Sequence, residues 1–202
     1  MNLPGLYDRI AAIVPQVPGW CTLEKACTMA SLIVGLRPQL VVEIGIYGGS
    51  SFIPQAMAVK EVGCGIILGI EPWSNDVAVA AQTENESRAW WQDQQMAAIR
   101  DGFYQRIREL RLDTIVQIQE KPSRQVEVPM KIGLLHVDGA HNDEAVTDVT
   151  RFCPQVEMGG FVVMDDSKWV GGGVARAEQR LVQMGYKFLY PLGTGAVYQR
   201  VR

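Results

Sequence analysis

One stretch of the sequence decides the fold, LVVEIGIYGGSS at residues 40–51. It begins with a short apolar run, which predicts a buried strand in a sheet that is covered on both faces. A carboxylate, Glu43, lies near the end of this strand, and three glycines and two serines follow it. Glycine lets the backbone turn sharply and approach a ligand closely, and Ser50 or Ser51 is placed to cap the next helix. A strand, a glycine-rich turn and a helix N-terminus are together typical of a nucleotide-cofactor site, although many glycine turns bind no ligand.

The composition predicts a single domain over residues 1–202 that acts on small molecules. Hydrophobic residues make up 48% of the chain, and the net charge of -3 gives no reason to expect nucleic acid or an anionic membrane as a partner. No apolar run reaches the roughly 18 residues that a spanning helix needs, and the first residues lack the pattern of a secretory signal. The four cysteines show no metal-type pairing, as the closest two are six residues apart. We therefore expect a cytoplasmic protein with free thiols.

Strand and helix signals alternate along the chain. Residues 1–37 are predicted to form an N-terminal helical arm, with a helix over 22–36. Further strands are predicted at 65–70, 114–119, 132–137, 161–164, 186–190 and 195–200, and further helices at 51–61, at 102–112, after Asn142 or Asp143, and at 174–184. This order predicts an α/β fold, a three-layer Rossmann-like sandwich with a mostly parallel seven-stranded sheet and an antiparallel C-terminal strand pair.

Residues 72–101 interrupt the alternation. They contain Pro72, Trp73, a polar run, the pair Trp90-Trp91 and several glutamines. One interpretation is a surface helix whose tryptophans pack on the domain. The other is a lid insertion that carries aromatic side chains toward a substrate. The sequence leaves both open.

Acidic residues follow several of the predicted strands. Glu71 ends the second strand, 28 residues after Glu43, close to the distance at which a βαβ unit places an acid beside a ribose. Asp165 and Asp166 end the fifth strand, and two adjacent acids are costly unless a cation or hydrogen-bond donors compensate them. The alternative is that one of them faces solvent while the other caps a turn. Because the carboxyl ends of parallel strands meet at one edge of a sheet, the pattern predicts a ligand site there.

The fourth strand runs into the hexapeptide HVDGAH at residues 136–141, which holds both histidines of the chain. His136 lies within the strand, which favours a core role. His141 lies beyond the glycine, where an imidazole is accessible for chemistry and has a useful pKa near neutrality.

With these motifs the sequence resembles the class I S-adenosylmethionine-dependent methyltransferases. It is most similar to small O-methyltransferases whose fourth strand runs into an Asp-Gly-x-His segment, and the resemblance covers residues 38–202. The matching motifs are VEIG at 42–45 with Gly49 and Ser51, Glu71, the hexapeptide at 136–141, and GGFVVMDD at 159–166. The departures are Asn142-Asp143 and the tryptophan-bearing insertion, which leave the substrate open.

The resemblance implies a set of cofactor-binding residues. Its glycines would approach the methionine moiety, its second-strand acid would accept the ribose hydroxyls, and the loop after the third strand would lie near adenine. The implied cofactor-binding residues are Glu43, Gly45, Gly48, Gly49, Ser51, Glu71, Pro72, Trp73, Ser123 and Asp138.

Methyl transfer to oxygen needs a deprotonated hydroxyl aligned with the methyl donor. The resemblance implies that His141 is the general base and that Asp138 is also catalytic. In metal-dependent relatives Mg²⁺ binds carboxylate oxygens, and the corresponding residues here are Asp138, Asp165 and Asp166.

Two other functions stay open at this stage. A nicotinamide-dependent oxidoreductase would favour a tighter Gly-x-Gly-x-x-Gly turn and would leave the three aspartates without a role. A non-catalytic binding protein on the same fold is the second alternative. Four tryptophans, Trp20, Trp73, Trp90 and Trp91, suggest an acceptor with a ring or flat apolar face, such as a sugar, a phenol or another hydroxylated metabolite. A homodimer is expected only because such assemblies are common.

Overall fold

The computed structural model describes residues 3–202 and has a seven-stranded sheet at its centre. The strands are β1 (Leu40–Ile44), β2 (Ile66–Ile70), β3 (Val116–Gln119), β4 (Ile132–Val137), β5 (Val156–Met164), β6 (Tyr186–Leu192) and β7 (Gly195–Arg200). Their order across the sheet is β3-β2-β1-β4-β5-β7-β6, and β7 is antiparallel to both of its neighbours. The predicted fold class is therefore confirmed. β1 and β4 are parallel neighbours, and the order in which strands are added reverses there, since β2 and β3 lie on the β1 side and β5 lies on the β4 side. Open α/β sheets bind their ligands at such a point.

Helices cover both faces of the sheet. They are α1 (Leu3–Ile13), α2 (Leu23–Leu36), α3 (Phe52–Val62), α4 (Asn75–Ala80), α5 (Asn85–Gln92), α6 (Met96–Glu109), α7 (Glu144–Phe152) and α8 (Gly173–Gln183). Alternate residues of a strand point to opposite faces. Val41 accordingly joins the core under α1, α2, α3 and α6, whereas Val42 joins the core under α7 and α8.

The N-terminal segment forms part of one helical layer. Leu6 and Ile10 of α1 are fully buried in the same core cluster as α2 and α3. The predicted arm therefore corresponds to two helices that pack on the domain, and the first two residues of its range lie outside the described residues. The oxygen of Thr22 caps α2 by accepting from the Lys25 backbone N–H at 3.2 Å. No helix within residues 3–202 has the length and apolar character to cross a membrane.

Residues 72–101 fold into α4, α5 and the beginning of α6. The helix predicted over 102–112 is the second half of α6, which begins at Met96. Gly102 therefore does not mark a helix boundary. It is an exposed interior position of α6, and a Cβ there would meet no atom within 4 Å.

The fifth strand also begins earlier than predicted, at Val156 instead of residue 161. Gly159 and Gly160, the first residues of the GGFVVMDD stretch, precede the predicted strand. They lie within β5, next to a register shift between Ile132 and Leu134 of β4. A Cβ on Gly160 would lie 2.7 Å from the carbonyl oxygen of Gly133, so glycine is required by the close approach of two strands.

The first glycine of the turn after β1 offers a test of the fold. Gly45 has φ +88°, and a Cβ there would overlap the backbone of Asp138. We expect Gly45→Ala to lower the free energy of unfolding by about 2 kcal/mol or more, because backbone strain adds to the overlap. Urea unfolding followed by circular dichroism measures this change.

The matched control is Gly35→Ala. Gly35 lies in α2, and a Cβ there would have no neighbour within 4 Å. Alanine in a helix is more stable than glycine by about 0.5–1 kcal/mol, so this variant should be at least as stable as the parent. Equal stability of the Gly45→Ala variant and the parent would contradict the packing described here.

Candidate active site

A cleft at the carboxyl edge of the sheet brings together most of the residues that the sequence singled out. It encloses about 1130 Å³ of space, including the part open to solvent. Eight predicted site residues line it: Gly45, Ser51, Glu71, Pro72, Ser123, Asp138, His141 and Asp166. Five others lie outside its lining: Glu43, Gly48, Gly49, Trp73 and Asp165.

Glu71 joins the loops that follow β1 and β2. Its Oε2 accepts the backbone N–H groups of Ile46 and Tyr47 at 3.1 and 3.0 Å, and its Oε1 accepts that of Trp73 at 2.9 Å. The Trp73 indole N–H also donates to the Tyr47 carbonyl at 2.8 Å. Tyr47 and Trp73 have φ of 50° and 43°, a backbone region that side chains disfavour, and these hydrogen bonds offset that cost. Trp73 is thus buried behind the residues that line the cleft.

One acceptor position on Glu71 remains available to a ligand. An ionised carboxylate accepts about four hydrogen bonds, and three backbone donors are already present. Burial raises the pKa of Glu71 more than these three N–H groups lower it. The geometry therefore leaves room for one hydroxyl donor at the end of β2.

Glu43 is fully buried beneath the turn and does not project into the cleft. It accepts a hydrogen bond from the Ser51 hydroxyl at 2.6 Å and another from the Gln55 side-chain amide. Ser51 is the N-cap residue of α3 by position, but its hydroxyl makes no capping bond. The Ser50 hydroxyl instead accepts from the Cys21 backbone N–H at 3.3 Å. The predicted capping by a serine side chain was wrong, since the buried carboxylate and the N-terminal segment engage both hydroxyls.

The second and third glycines of the turn are required by packing. A Cβ on Gly48 would overlap the carbonyl of Pro18, and a Cβ on Gly49, which has φ +93°, would lie 2.8 Å from the Phe103 ring. These glycines let the turn pack against the N-terminal segment and α6. Gly45 alone of the three lines the cleft.

Asp138, His141 and Asp166 form the chemical centre of the cleft. One side-chain atom from each lies within 4.8 Å of the other two. The His141 Nε2 is 2.9 Å from Asp166 Oδ2 and its Nδ1 is 3.1 Å from Gln82 Oε1. The imidazole also stacks on the Trp169 ring at 4.1 Å between centroids, so its position is fixed from three sides. Burial, and then the charge of Asp165, raise the pKa of Asp138 well above its ordinary value.

A chain of buried charges lies directly behind this centre. The Lys25 ammonium of α2 forms an ion pair with Asp165 Oδ2, and each residue is only 5% exposed. His136 lies between Asp165 and Glu43, with its Nε2 3.6 Å from Asp165 Oδ2 and its Nδ1 3.3 Å from Glu43 Oε2. The predicted core position of His136 is thus correct, but the ring bridges two carboxylates.

The pKa values of this chain follow from opposing effects. Burial lowers the pKa of His136, but Glu43 and Asp165 outweigh it and raise the pKa to about 10. Burial likewise disfavours the Lys25 ammonium, yet Asp165 and Asp138 raise its pKa above the ordinary value. Burial raises the pKa of Asp165, but His136 and Lys25 hold it well below the usual range. Both cations and the Asp165 carboxylate are therefore charged at neutral pH.

The sequence analysis missed Lys25. The available signal was its spacing, since Lys25 precedes Met29 by four residues and Ile33 by eight, and both are fully buried. That spacing places the lysine on the inner face of α2. Lys25 was not predicted as a site residue because only the apolar positions of α2 indicate its buried face directly.

The predicted magnesium ligands do not fit a three-carboxylate site. Asp165 Oδ1 accepts from the Asp166 backbone N–H at 2.9 Å and from the Thr194 hydroxyl at 3.0 Å. Its Oδ2 contacts Lys25 and His136. Three protein donors and the adjacent His136 ring therefore surround the Asp165 carboxylate. Asp138 and Asp166 face the cleft with an imidazole, whereas Mg²⁺ prefers oxygen ligands.

Asp148 is a further cleft residue that was not predicted as a site residue. It belongs to α7 and is almost fully buried. Its Oδ1 has no hydrogen-bond partner within residues 3–202, and burial raises the pKa of this carboxyl to about 6. A buried acceptor that faces a cleft is normally satisfied by water or by a donor from a ligand.

The fold and this cleft define a class of protein. A doubly wound sheet whose last strand is inserted antiparallel, with an acid at the end of β2 beside a glycine turn, is the architecture of class I methyltransferases. A family model described as "Methyltransferase domain" matches residues 42–167, and the chain belongs to this family.

Solved structures agree with this assignment. The chain is similar to the O-methyltransferase NovP (TM-score 0.75, 15% identity, 99% of this chain and 98% of that chain). It is also similar to the SAH-bound methyltransferase PaMTH1 of Podospora anserina (0.65, 14%, 99% and 87%). A third similar structure is TomG from Streptomyces achromogenes, an O-methyltransferase involved in tomaymycin synthesis, in complex with SAM (0.62, 15%, 98% and 90%). At these identities the likeness shows the fold. No curated protein sequence matches the chain.

The pKa of His136 predicts a pH dependence of stability. Its folded-state pKa of about 10 lies above the ordinary 6.5, so its contribution is fully present below pH 6.5 and is lost as the pH rises toward 10. Between about pH 7 and about pH 9.5, we expect the parent to lose about 3 kcal/mol more unfolding free energy than a His136→Gln variant. Urea unfolding of both proteins at the two pH values measures the difference. Parallel pH profiles for the two proteins would show that His136 is not a buried cation.

Proposed function

We propose that the protein is an S-adenosylmethionine-dependent methyltransferase that methylates a hydroxyl oxygen of a small, ring-bearing metabolite. The observation that carries this proposal is the shared cleft, in which Gly45 and Glu71 lie beside the group of Asp138, His141 and Asp166. A cofactor site and a proton-accepting site are thus adjacent. Family membership supports the reaction type.

The residues that line the cleft fit the cofactor at two points. The open acceptor position of Glu71 suits a ribose hydroxyl. Asp148 Oδ1 is a buried acceptor without a partner among the described residues, and it suits an amino donor such as that of adenine. Two of the similar structures, PaMTH1 and TomG, were determined with SAH and SAM, which agrees with this assignment. When bound, S-adenosylmethionine supplies an electrophilic methyl group.

When S-adenosylmethionine is bound, its methyl group would pass to the acceptor oxygen as the methyl–sulfur bond breaks and S-adenosylhomocysteine leaves, so the acceptor hydroxyl must give up its proton. In the proposed mechanism the carboxylate of Asp138, which faces the cleft, accepts that proton. Both ring nitrogens of His141 contact oxygen acceptors, Asp166 Oδ2 and Gln82 Oε1, so the ring positions the acceptor and the predicted general-base role of His141 is not part of this proposal. Gln82 and Trp169 keep the imidazole plane fixed, which limits the geometries that the acceptor can adopt.

Magnesium assistance, which the sequence pattern suggested, stays a prediction and no step of this proposal depends on it. Its three-carboxylate form is disfavoured because Lys25 and His136 contact Asp165.

The ring-bearing acceptor is inferred from an aromatic cluster at the mouth of the cleft, formed by Trp20, Tyr47, Trp90 and Trp91. Trp20 stacks on Tyr47 at 5.3 Å between centroids and meets Trp90 edge-on at 5.2 Å. Trp20 is nevertheless 64% exposed, and Trp20, Tyr47 and Trp91 line the cleft. Exposed aromatic faces of this kind bind flat apolar rings. The predicted lid interpretation of residues 72–101 agrees with this role.

The function is tested by a methyl-transfer assay. The protein is incubated with S-adenosylmethionine carrying a labelled methyl group and with a panel of phenols and sugars, and product mass and S-adenosylhomocysteine are measured. Asp138→Ala should reduce turnover by about 10²–10⁴-fold, because the hydroxyl loses its proton acceptor, and should retain cofactor binding.

The matched control is Asp143→Ala, five residues along the same loop. Asp143 is exposed and pairs with Arg176, so its removal should leave turnover unchanged. Cofactor binding without turnover on any acceptor of the panel, in parent and variants alike, would favour a non-catalytic binding protein.

The aromatic cluster predicts a separate effect on acceptor binding. We expect Trp20→Ala to raise the acceptor KM by about 2–10-fold, since a stacked ring contact contributes about 0.5–1.5 kcal/mol. The cofactor Kd and the unfolding free energy should stay near their parent values because the ring is mostly exposed. Trp20→Phe keeps a ring, so its acceptor KM should lie between those of the parent and Trp20→Ala. An unchanged acceptor KM in Trp20→Ala would place the acceptor elsewhere.

A further inference from the structure

The buried lysine of α2 has no role in the proposed reaction. Lys25 is 5% exposed and its ammonium points at the carboxyl edge of the sheet, where it contacts Asp165 Oδ2. A helix from the N-terminal segment thus delivers a fixed positive charge to the edge that carries the chemical centre. Burying a lysine is costly unless a carboxylate pairs with it, and Asp165 provides that carboxylate here.

The ammonium lies close to the cleft carboxylates. An oxygen of Asp165 is within 4.8 Å of an oxygen of Asp138, and Asp166 follows directly in the chain. Three neighbouring carboxylates in one place repel one another unless positive charge compensates them. Lys25 and His136 supply two positive charges from the protein itself.

The contacts of Asp165 disfavour a metal on that residue. Its Oδ1 accepts from the Asp166 backbone and the Thr194 hydroxyl, and its Oδ2 contacts the ammonium of Lys25 and the ring of His136. Three of these groups donate hydrogen bonds to the carboxylate, and the His136 Nε2 lies 3.6 Å from the same Oδ2 that the ammonium contacts. A hard cation demands near-ideal oxygen geometry at close range, so it would have to displace the lysine.

We propose that the Lys25 ammonium takes the place of a divalent cation in this site, holding Asp165 as an ion-pair partner, so that methyl transfer proceeds without a metal. The inference rests on the proposed function in one respect, which is that the reaction carried out in the cleft is methyl transfer. The exclusion of a metal by Lys25 is a property of the folded protein and can be measured without turnover.

Mn²⁺ is the probe, because it substitutes for Mg²⁺ at oxygen-rich sites and free and bound ions differ in their electron paramagnetic resonance spectra. Titrations are made on the parent protein, Lys25→Met, Lys25→Arg and Lys187→Met, each with and without S-adenosylhomocysteine. Lys187 lies on β6 and is exposed, so Lys187→Met controls for the loss of one positive charge elsewhere.

We expect the parent, Lys25→Arg and Lys187→Met to show only weak, unsaturable Mn²⁺ association. Lys25→Met removes the competing charge and should bind one Mn²⁺ at least about tenfold more tightly than the parent. Addition of Asp165→Asn to Lys25→Met should abolish that site. Parent turnover should be unaffected by EDTA, and Lys25→Arg should retain more of it than Lys25→Met.

Saturable binding of one Mn²⁺ by the parent that Asp138→Asn removes, or equal Mn²⁺ affinity in the parent and Lys25→Met, would overturn the inference. If Lys25→Met does not fold, the parent titration still decides. Failure of the proposed function shows separately, as absence of methyl transfer or of S-adenosylhomocysteine binding, and leaves the Mn²⁺ comparison intact.

Discussion

The site depends on the compensation of buried negative charge at one edge of a parallel sheet. Glu43, Asp138 and Asp165 lie at the ends of β1, β4 and β5, where the fold brings them together; Glu43 and Asp165 are buried, and Asp138 faces the cleft. An uncompensated buried carboxylate is strongly destabilising. The opposite charges come from His136 on β4, which lies between β1 and β5, and from Lys25 on α2. This arrangement explains why the N-terminal helices pack as part of the domain.

The same charges organise the cleft in front of them. Asp165 orders the next residue by accepting its backbone N–H, and Asp166, held at φ +52°, is then placed to bond the His141 ring. Glu43 orders the other side through Ser51 and Gln55, which fix the start of α3 beneath the glycine turn. The residues that face a ligand are thus supported by a second set that does not face it. Such support keeps reacting groups in a narrow range of geometries.

The fold could be predicted from sequence because its signals are local. Apolar runs such as residues 40–44 and 132–137 define strands by themselves, and the alternation with helices defines the sheet. Strand ends could be predicted as site positions for the same reason, and Gly45, Glu71, Asp138 and His141 do line one cleft. The predicted boundaries near Gly102 and Gly159-Gly160 differ from the observed ones because glycine marks a boundary in some contexts and a close packing contact in others.

The partners of the site residues could not be predicted, because they come from distant parts of the chain. Lys25 and Asp165 are 140 residues apart, and Gln82 and His141 are 59 residues apart. The local pattern places Lys25 on the inner face of α2, but it does not identify the distant residue that Lys25 contacts. Asp165 therefore looked like a metal ligand in the sequence, and only the fold shows the ammonium against it.

The most direct test of the account is a calorimetric titration of the purified protein with S-adenosylmethionine and, separately, with NADH, each in the presence and absence of Mg²⁺. The account predicts saturable binding of one S-adenosylmethionine per chain, unchanged by Mg²⁺, and no binding of NADH. Binding of NADH in place of S-adenosylmethionine, or of neither, would contradict the assignment of the cleft.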